Sequence, residues 1–256
     1  MKLPPVSYDD MLKESYCYKK QDHSSYEWSL VRHLYYNNYI NTTAITPKIP
    51  KIIHQIWLGG KLPDKFKKYC DTWQKFHPDW EYRLWTDSDI SGMEMKKRNL
   101  FDTVSNLGQK SDVLRYEILR KHGGIYVDTD FECIKPFDDL RYLDFFCGFA
   151  YDKEMVLYNG MIACVPENKI LVACTQSPQL AYTGKDGQKI MQNTGAYYLT
   201  KCMLSSVRER TRGVVIFPPP FFYPFPNNMR HTNMADSYVK EYSYANHHWK
   251  TSWLFP

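Results

Sequence analysis

The sequence predicts an α/β fold: an open sheet flanked by helices, with an N-terminal helical cap. Strand-like and helix-like segments alternate from residue 51 onward. The chain has 256 residues, 43% of them hydrophobic and 24% charged, which is typical of a globular protein with a substantial core. Because strands alternate with helices, we expect a sheet of parallel type that binds its ligand beyond the carboxyl ends of the strands.

Hydrophobic periodicity and glycine or proline breaks define the predicted elements. The predicted strands span residues 51–57, 81–86, 125–128, 131–136, 144–150 and 160–165. The predicted helices span residues 7–40, 63–76, 111–122, 168–176 and 187–204, with helix and loop over 88–108. A Thr/Pro connector over 41–50 suggests two units, residues 1–48 as the helical cap and residues 49–256 as the main domain.

Residues 110–130 are the most informative segment and read as a helix, a glycine break and a short buried strand. Ser111 is a candidate N-cap, because its hydroxyl can accept a backbone N–H of the first turn. Gly123 can take the left-handed conformation that ends a helix. On the helix, Asp112 and Arg115 are three residues apart and share one face with Ser111.

Two carboxylates, Asp128 and Asp130, follow the predicted strand. Tyr126 and Asp128 point to one face of the strand, and Asp130 joins them if the strand continues that far. Mg²⁺ and Mn²⁺ prefer oxygen ligands and bind through one or two carboxylates together with substrate phosphates. The alternative is an ordinary turn with two solvated aspartates. An EF-hand loop is disfavoured, because Cys133 stands where the sharp turn requires glycine.

The motifs S-D-x-x-R, G-G-x-Y and D-x-D, over residues 111–130, together resemble the DXD sugar-binding glycosyltransferases of family 32. That family includes α-1,6-mannosyltransferases and α-1,4-galactosyltransferases, and glucosyltransferase domains of clostridial toxins show the same spacing. Residues 49–59, 80–87 and 244–253 also resemble family segments. The resemblance covers roughly residues 49–253 and implies a Rossmann-like domain of GT-A type with metal-dependent, retaining transferase activity.

The resemblance implies roles for the matched residues. Donor-binding residues are then Ile56, Trp57, Ser111, Asp112, Arg115, Tyr126, Asp128, Ser252 and Trp253. Metal-binding residues are Asp130 directly, Asp128 through water, and His247 or His248. The predicted catalytic group is Asp128, Asp130, Arg115 and Asn159. Within this set, Trp57 would stack on the nucleotide base, and Asn159 would line the donor sugar or the acceptor cleft.

Each assignment has a structural alternative. Trp57 could be a core side chain, Asp112 and Arg115 could form a structural ion pair, and the two histidines could lie on the surface. Neighbouring residues of a strand point to opposite faces, so only one histidine can easily reach a metal. The family pattern favours His247 over His248.

Two further segments carry expectations. Residues 244–253 are predicted to form a lid that orders when donor and metal bind, and a permanently packed final strand is the alternative. Residues 194–196 read T-G-A where members of the family often have T-G-P. We therefore expect the acceptor loop to be built differently in this chain.

Charge and cysteine content limit which partners and which compartment we expect. The net charge of +5 suits an anionic UDP- or GDP-sugar donor, and the absence of a long Lys/Arg block argues against nucleic acid. The acceptor would be a glycan, a glycolipid or a protein, and the cofactor Mn²⁺ or Mg²⁺. The first ten residues hold no apolar run, no stretch is long enough for a transmembrane segment, and seven scattered cysteines suggest reduced thiols. We therefore expect a cytoplasmic protein.

Two other functions stay open from the sequence. The first is a non-catalytic module that binds nucleotide-sugars or carbohydrate. The second is a phosphatase of the haloacid-dehalogenase type, which also places D-x-D after a buried strand. The phosphatase motif has Thr or Val two residues after the second aspartate. Here that residue is Glu132, which departs from the motif.

Overall fold

The computed structural model describes residues 6–16, 23–149, 155–179 and 181–250. The helices of this part of the chain are α1 (Tyr8–Glu14), α2 (Tyr26–Tyr35), α3 (Asp64–Phe76), α4 (Asp87–Ile90), α5 (Arg98–Thr103), α6 (Leu107–His122), α7 (Lys169–Gln176), α8 (Gly187–Asn193), α9 (Ala196–Ser206) and α10 (Pro219–Phe222). The strands are β1 (Ile52–Ile56), β2 (Glu81–Trp85), β3 (Gly124–Val127), β4 (Phe131–Cys133), β5 (Phe145–Phe149), β6 (Leu157–Cys164), β7 (Val214–Phe217) and β8 (Ala245–His247). A π-helical turn covers Tyr36–Ile40, and 3-10 turns cover Asp138–Leu140, Asn227–Met229 and Ala235–Tyr238.

The described strands form a six-stranded sheet in the order β2-β1-β3-β6-β5-β7. Strand β1 runs parallel to β2 and β3, and β5 runs parallel to β7. Strand β6 is antiparallel to both of its neighbours, so the expectation of a sheet of parallel type is wrong. Only residues 150–156 separate β5 from β6, and so short a connection can join antiparallel neighbours but not parallel ones.

Strands β4 and β8 form a separate two-stranded antiparallel sheet just beyond the carboxyl end of β3. Phe131 stands opposite His247 in this pairing. The pairing brings a late segment of the chain next to the two aspartates that follow β3.

Helix α6 begins four residues earlier than predicted, at Leu107. Its N-cap is Asn106, whose side chain accepts a backbone N–H of the first turn, so the prediction of Ser111 as N-cap is wrong. Gly108 in the first turn hid the start of the helix, because glycine is a poor helix former. Gly123 ends the helix with a φ of 63°, as predicted.

The predicted helix over 187–204 is two helices, α8 and α9, separated by Thr194 and Gly195. Both residues lie between the two helices, where the Thr194 hydroxyl donates to the Asp112 carboxylate of α6. Gly195, which follows Thr194 at the break, is a poor helix former and ends the helical pattern locally.

The N-terminal helices pack on the main domain, as expected of a cap. The ring of Trp28 meets Phe149 edge-on at 5.1 Å, and the ring of Tyr35 meets Phe217 at 5.9 Å. These rings belong to the same hydrophobic core as the sheet. The proposed boundary at residue 48 stays a prediction.

Two observations bear on the compartment. Among the described residues, no helix combines the length and the apolar character that crossing a membrane requires. The cysteines of the described chain are free and buried, and Cys17 lies outside the described residues. The compartment itself stays a prediction.

Candidate active site

A cleft with a cavity of about 390 Å³ lies at the carboxyl ends of β1 and β3. This is the edge of the sheet at which we expect the ligand to bind. The predicted residues that line it are Ile56, Trp57, Ser111, Asp112, Arg115, Tyr126, Asp128, Asp130, Asn159 and His247. His248 is not among the lining residues, and Ser252 and Trp253 lie outside the described residues. Four structural regions thus deliver the predicted residues to one cavity: the end of β1, helix α6, strands β3 and β6, and the β4–β8 pair.

Arg115 is the centre of a buried cluster on the α6 side of the cleft. Its Nη2 lies 3.1 Å from Asp112 Oδ1, and its Nη1 lies 3.2 Å from Asp128 Oδ1. The guanidinium also donates to the Asn159 carbonyl at 2.7 Å and to Ser111 Oγ at 3.0 Å. One cation thus fixes two carboxylates from different elements, which a bidentate planar guanidinium does better than an ammonium.

Asp112 is held on both carboxylate oxygens. The Asn159 amide donates to its Oδ1 at 2.7 Å, and the Thr194 hydroxyl donates to its Oδ2 at 2.9 Å. Burial raises the pKa of Asp112 above its usual value, while Arg115 and the two hydrogen bonds oppose that shift. The carboxylate is therefore a rigid acceptor at the wall of the cleft.

Tyr126 joins this cluster to the aspartates after β3. Its hydroxyl donates to Asp128 Oδ1 at 2.6 Å, and the Arg115 guanidinium lies 4.5 Å from its ring centroid. The contact follows from strand geometry, because Tyr126 and Asp128 are two residues apart and share a face.

The second cluster of the cleft contains Asp128, Asp130 and His247. One ligand atom from each lies within 4.8 Å of the others. His247 reaches this position through β8, where its ring stacks on Phe131 at 4.5 Å with an angle of 10° between the planes. Its Nε2 lies 3.1 Å from Asp130 Oδ1, and its buried Nδ1 has no hydrogen-bond partner among the described groups.

The two aspartates differ in their electrostatic surroundings. Burial raises the pKa of Asp128; Arg115 opposes the shift, whereas Asp130 adds to it. Burial also acts to raise the pKa of Asp130, but His247 and the backbone N–H of Lys250, which donates at 2.6 Å, hold it below the usual value. Asp130 is thus built to stay ionised, and a cation in this corner would stabilise the charge of Asp128.

His248 points away from the two aspartates. Its Nε2 lies 2.9 Å from Glu132 Oε2, and its ring stacks on Tyr69 at 4.4 Å. The strand alternation that separates His247 from His248 is the one expected from the sequence. Of the two histidines, only His247 stands in the possible metal site.

Trp57 also lines the cleft. It is half-buried, and its ring packs against Phe66 with centroids 5.0 Å apart. By contrast, Trp73 is fully buried in the core. Trp57 therefore keeps ring surface at the cavity, which fits a platform for a planar group better than a core side chain.

The segment after β8 is packed where the structure describes it. Trp249 is buried, and its Nε1 donates to the Phe225 carbonyl at 2.7 Å. Its φ of 55° lies in the left-handed region, which is uncommon for an aromatic residue. Residues 244–250 thus fit the alternative of a permanently packed final strand. That residues 244–253 move as a lid stays a prediction.

The cleft also has lining residues that were not among the predicted site residues. They are Leu58, Gly59, Leu107, Gly108, Thr129, Tyr158, Gly160, Gly187, Ile190, Met191, Gly195, Ala196, Asn227, Trp249 and Lys250. Trp249 and Lys250 lie within residues 244–253, which resemble a segment of the family, so that resemblance could have indicated them. Ile190, Met191 and Asn227 carry no local signal, because only the tertiary fold brings them to the cleft.

Comparisons with known proteins find relatives among glycosyltransferases. Residues 63–145 match the family model described as a glycosyltransferase sugar-binding region containing the DXD motif. An uncharacterized glycosyltransferase of Acanthamoeba polyphaga mimivirus is 31% identical over 174 residues, which cover 64% of this chain and 66% of that protein. Inositol phosphoceramide mannosyltransferase 1 of Schizosaccharomyces pombe is 36% identical over 100 residues, which cover 36% of this chain and 31% of that protein.

Among solved structures, the PaToxG glycosyltransferase shares the fold. The superposition has a TM-score of 0.52 at 21% sequence identity. It covers 63% of the present chain and 70% of the PaToxG chain. The present chain therefore spans just under two thirds of the viral relative and about a third of the yeast relative.

Proposed function

Given that the chain belongs to the glycosyltransferase family whose sugar-binding region contains the DXD motif, we propose that it is a metal-dependent, retaining glycosyltransferase. It would move a sugar from a UDP- or GDP-sugar to a glycan, lipid or protein acceptor. The observation that carries the proposal is the convergence of Asp128, Asp130 and His247 in the same cleft as the Arg115 cluster.

The lining offers a group for each part of the donor. Trp57 lines the cleft with ring surface for the base, since aromatic side chains stack on any nucleotide base. Asp112 and Arg115 present fixed polar groups, which suit the hydroxyls of a sugar. The acidic cluster suits a cation that binds the diphosphate of the donor.

The residues of the acidic cluster fit a divalent cation. Two carboxylates and an imidazole are ligands that Mn²⁺ accepts together, whereas Mg²⁺ prefers oxygen alone, so the histidine favours Mn²⁺. The buried and unpartnered Nδ1 of His247 is a further sign that the cluster lacks a binding partner. Asp130 and His247 would hold the cation, and Asp128 would contact it through water. When bound, the cation neutralises charge on the leaving diphosphate.

The chain's own residues then position the donor sugar. Arg115 bridges Asp112 and Asp128, so the sugar-facing and cation-facing carboxylates keep a fixed separation. Asn159 supports the same geometry through its amide and its carbonyl. Such fixed placement lowers the barrier by holding the reacting centre near its attack geometry. Retention of configuration is implied by the family resemblance.

The yeast relative's name suggests the first substrates to test. It is called an inositol phosphoceramide mannosyltransferase, and the matched part covers about a third of its length. We therefore take GDP-mannose and an inositol-phosphate lipid headgroup as the first pair, with UDP-galactose, UDP-glucose and UDP-N-acetylglucosamine as further donors.

The test measures nucleoside diphosphate release from each donor, with Mn²⁺ and with EDTA, beside thermal shifts. A transferase releases nucleoside diphosphate from one donor in the presence of Mn²⁺, and that donor raises the melting temperature because ligand binding stabilises the folded state. Free phosphate released from a phosphomonoester would indicate the phosphatase instead. Donor binding without turnover, with acceptors present, would indicate the non-catalytic module. NMR of the product anomer tests retention.

A further inference from the structure

We infer that Thr194, between α8 and α9, is a positioning residue that orients Asp112 toward the donor sugar and so sets the affinity for the sugar part of the donor. This inference rests on the proposed function. The family resemblance assigns roles to Asp112 and Arg115, and it gives none to Thr194.

Thr194 is fully buried and fixed from two sides. Its hydroxyl donates to Asp112 Oδ2 at 2.9 Å, with the Ile190 carbonyl as a poorer alternative acceptor at 3.3 Å. Its own carbonyl accepts the Tyr116 hydroxyl at 2.9 Å. The Asn159 amide, which also holds Asp112, lies 3.3 Å from the same Tyr116 oxygen.

These contacts leave Asp112 able to accept a hydrogen bond from a ligand. An ionised carboxylate has about four lone-pair sites. Asn159 donates to one site of Oδ1 and Thr194 to one site of Oδ2, and Arg115 lies against Oδ1 as an ion pair at 3.1 Å. Because Asp112 lines the cavity and Arg115 lies against Oδ1, the second site of Oδ2 is open to a sugar hydroxyl.

The hydroxyl of Thr194 decides which way that site points. Without it, Oδ2 loses its only described donor, and the carboxylate can rotate about its terminal bond, a soft torsion. Arg115 and Asn159 would still hold Oδ1, so the ion pair and the local fold survive. The loss should therefore appear in sugar recognition and not in the binding of the nucleotide, which contacts other parts of the cleft.

The experiment compares a nucleotide-sugar with its nucleoside diphosphate on the same variants. Wild type, Thr194→Val and Thr194→Ser are titrated with GDP-mannose and GDP, and with UDP-galactose and UDP, all with Mn²⁺. We expect Thr194→Val to weaken binding of the preferred nucleotide-sugar about tenfold, the size expected for one hydrogen bond to a charged group, while binding of the diphosphate changes less than about twofold. Thr194→Ser should restore wild-type affinity.

Thr175→Val is the matched control. Thr175 is also buried, and its hydroxyl donates only to the backbone carbonyls of Leu171 and Val172 among the described groups. It is not among the residues that line the cleft, so its loss should leave the ratio of nucleotide-sugar to diphosphate affinity unchanged. If Thr194→Val does not fold, Thr194→Ala removes the same hydroxyl without adding an extra methyl group, and a thermal melt identifies which variant to use.

The outcomes separate the inference from the proposed function. Unchanged affinity in Thr194→Val, or equal weakening of sugar and diphosphate ligands, overturns the positioning role. Failure of Thr194→Ser to rescue also overturns it, because the hydroxyl would then not be the active group. If wild type neither binds nor turns over any of the nucleotide-sugars with Mn²⁺, the proposed function fails before any variant is compared.

Discussion

The two polar clusters of the cleft differ in how completely their polar groups are paired. Around Asp112, every described donor already has an acceptor, and Arg115 balances the buried carboxylates. Around Asp130, two carboxylates and an imidazole converge, and a buried ring nitrogen of His247 has no described partner. A satisfied cluster is suited to a neutral, hydrogen-bonding ligand, whereas an unsatisfied acidic cluster is suited to a ligand that brings positive charge.

This difference separates two consequences of mutation. Removing a charge from the satisfied cluster leaves its partners buried and unpaired, so the fold should suffer. Removing the Asp130 charge loses its attraction to His247 but relieves its repulsion with Asp128, so the fold should tolerate the change while function is lost. The experiments below test that contrast.

The largest effect is expected for Asp130→Asn. Loss of a direct carboxylate ligand should reduce Mn²⁺-dependent turnover well beyond the roughly 10–100-fold that outer-shell partners of metal ligands contribute, to a level near background. The melting temperature without metal should fall only slightly, because an amide oxygen at this position can still accept the Lys250 N–H although the charge attraction to His247 is lost. The two readouts are donor turnover against Mn²⁺ concentration and a thermal melt in EDTA. Near-wild-type turnover would remove Asp130 from the metal site.

Arg115→Met should show the opposite pattern in stability. It leaves Asp112 and Asp128 buried without their shared cation, which should lower the free energy of unfolding by about 3–5 kcal/mol. Denaturant unfolding measures the loss. Lys67→Met serves as a control, because the exposed Lys67–Asp71 pair should contribute no more than about 1 kcal/mol. Similar losses in the two variants would show that the Arg115 cluster is not the structural centre described above.

His247→Ala and His248→Ala form a matched pair of neighbours. His247→Ala should weaken Mn²⁺ binding by at least about tenfold, whereas His248→Ala should change it by less than about threefold, since His248 contacts Glu132 instead. Calorimetric titration of Mn²⁺ gives both numbers. Equal effects would mean that strand alternation does not decide which ring reaches the metal.

Trp57→Ala should have the smallest and most selective effect. Base stacking occurs in the ground state and in the transition state alike, so its loss should appear in the donor KM and not in turnover. We expect a loss of about 1–3 kcal/mol, as for other base–aromatic contacts. Steady-state kinetics with the preferred donor checks this. A lower melting temperature with no selective change in KM would place Trp57 with the core.

The sequence predicted the elements that carry local signals. The D-x-D pair, the stop at Gly123 and the shared face of Asp112 and Arg115 all follow from short-range spacing, and the structure brings the described members of the motifs into one cleft. The domain type also followed, since the fold is that of GT-A glycosyltransferases.

Features that depend on distant contacts could not be predicted. The hydrogen bond of Thr194 to Asp112 joins residues 82 positions apart, which local propensity cannot register. The family pattern favoured His247 over His248, but the pairing of β8 with β4 that brings His247 to the aspartates has no local signal. By contrast, the antiparallel direction of β6 could have been inferred from its short connection to β5, although hydrophobic alternation does not encode strand direction.

The pairing of β4 with β8 has a consequence for how the protein acquires its cation. Asp130 and His247 are 117 residues apart, and the pairing of β4 with β8 brings them together. Closing so long a loop costs entropy that is recovered only after the intervening sheet has folded. The cation site is therefore a late product of folding and not a nucleus for it. Mn²⁺ added to the unfolded chain should leave the refolding rate unchanged and bind in step with the final recovery of native structure.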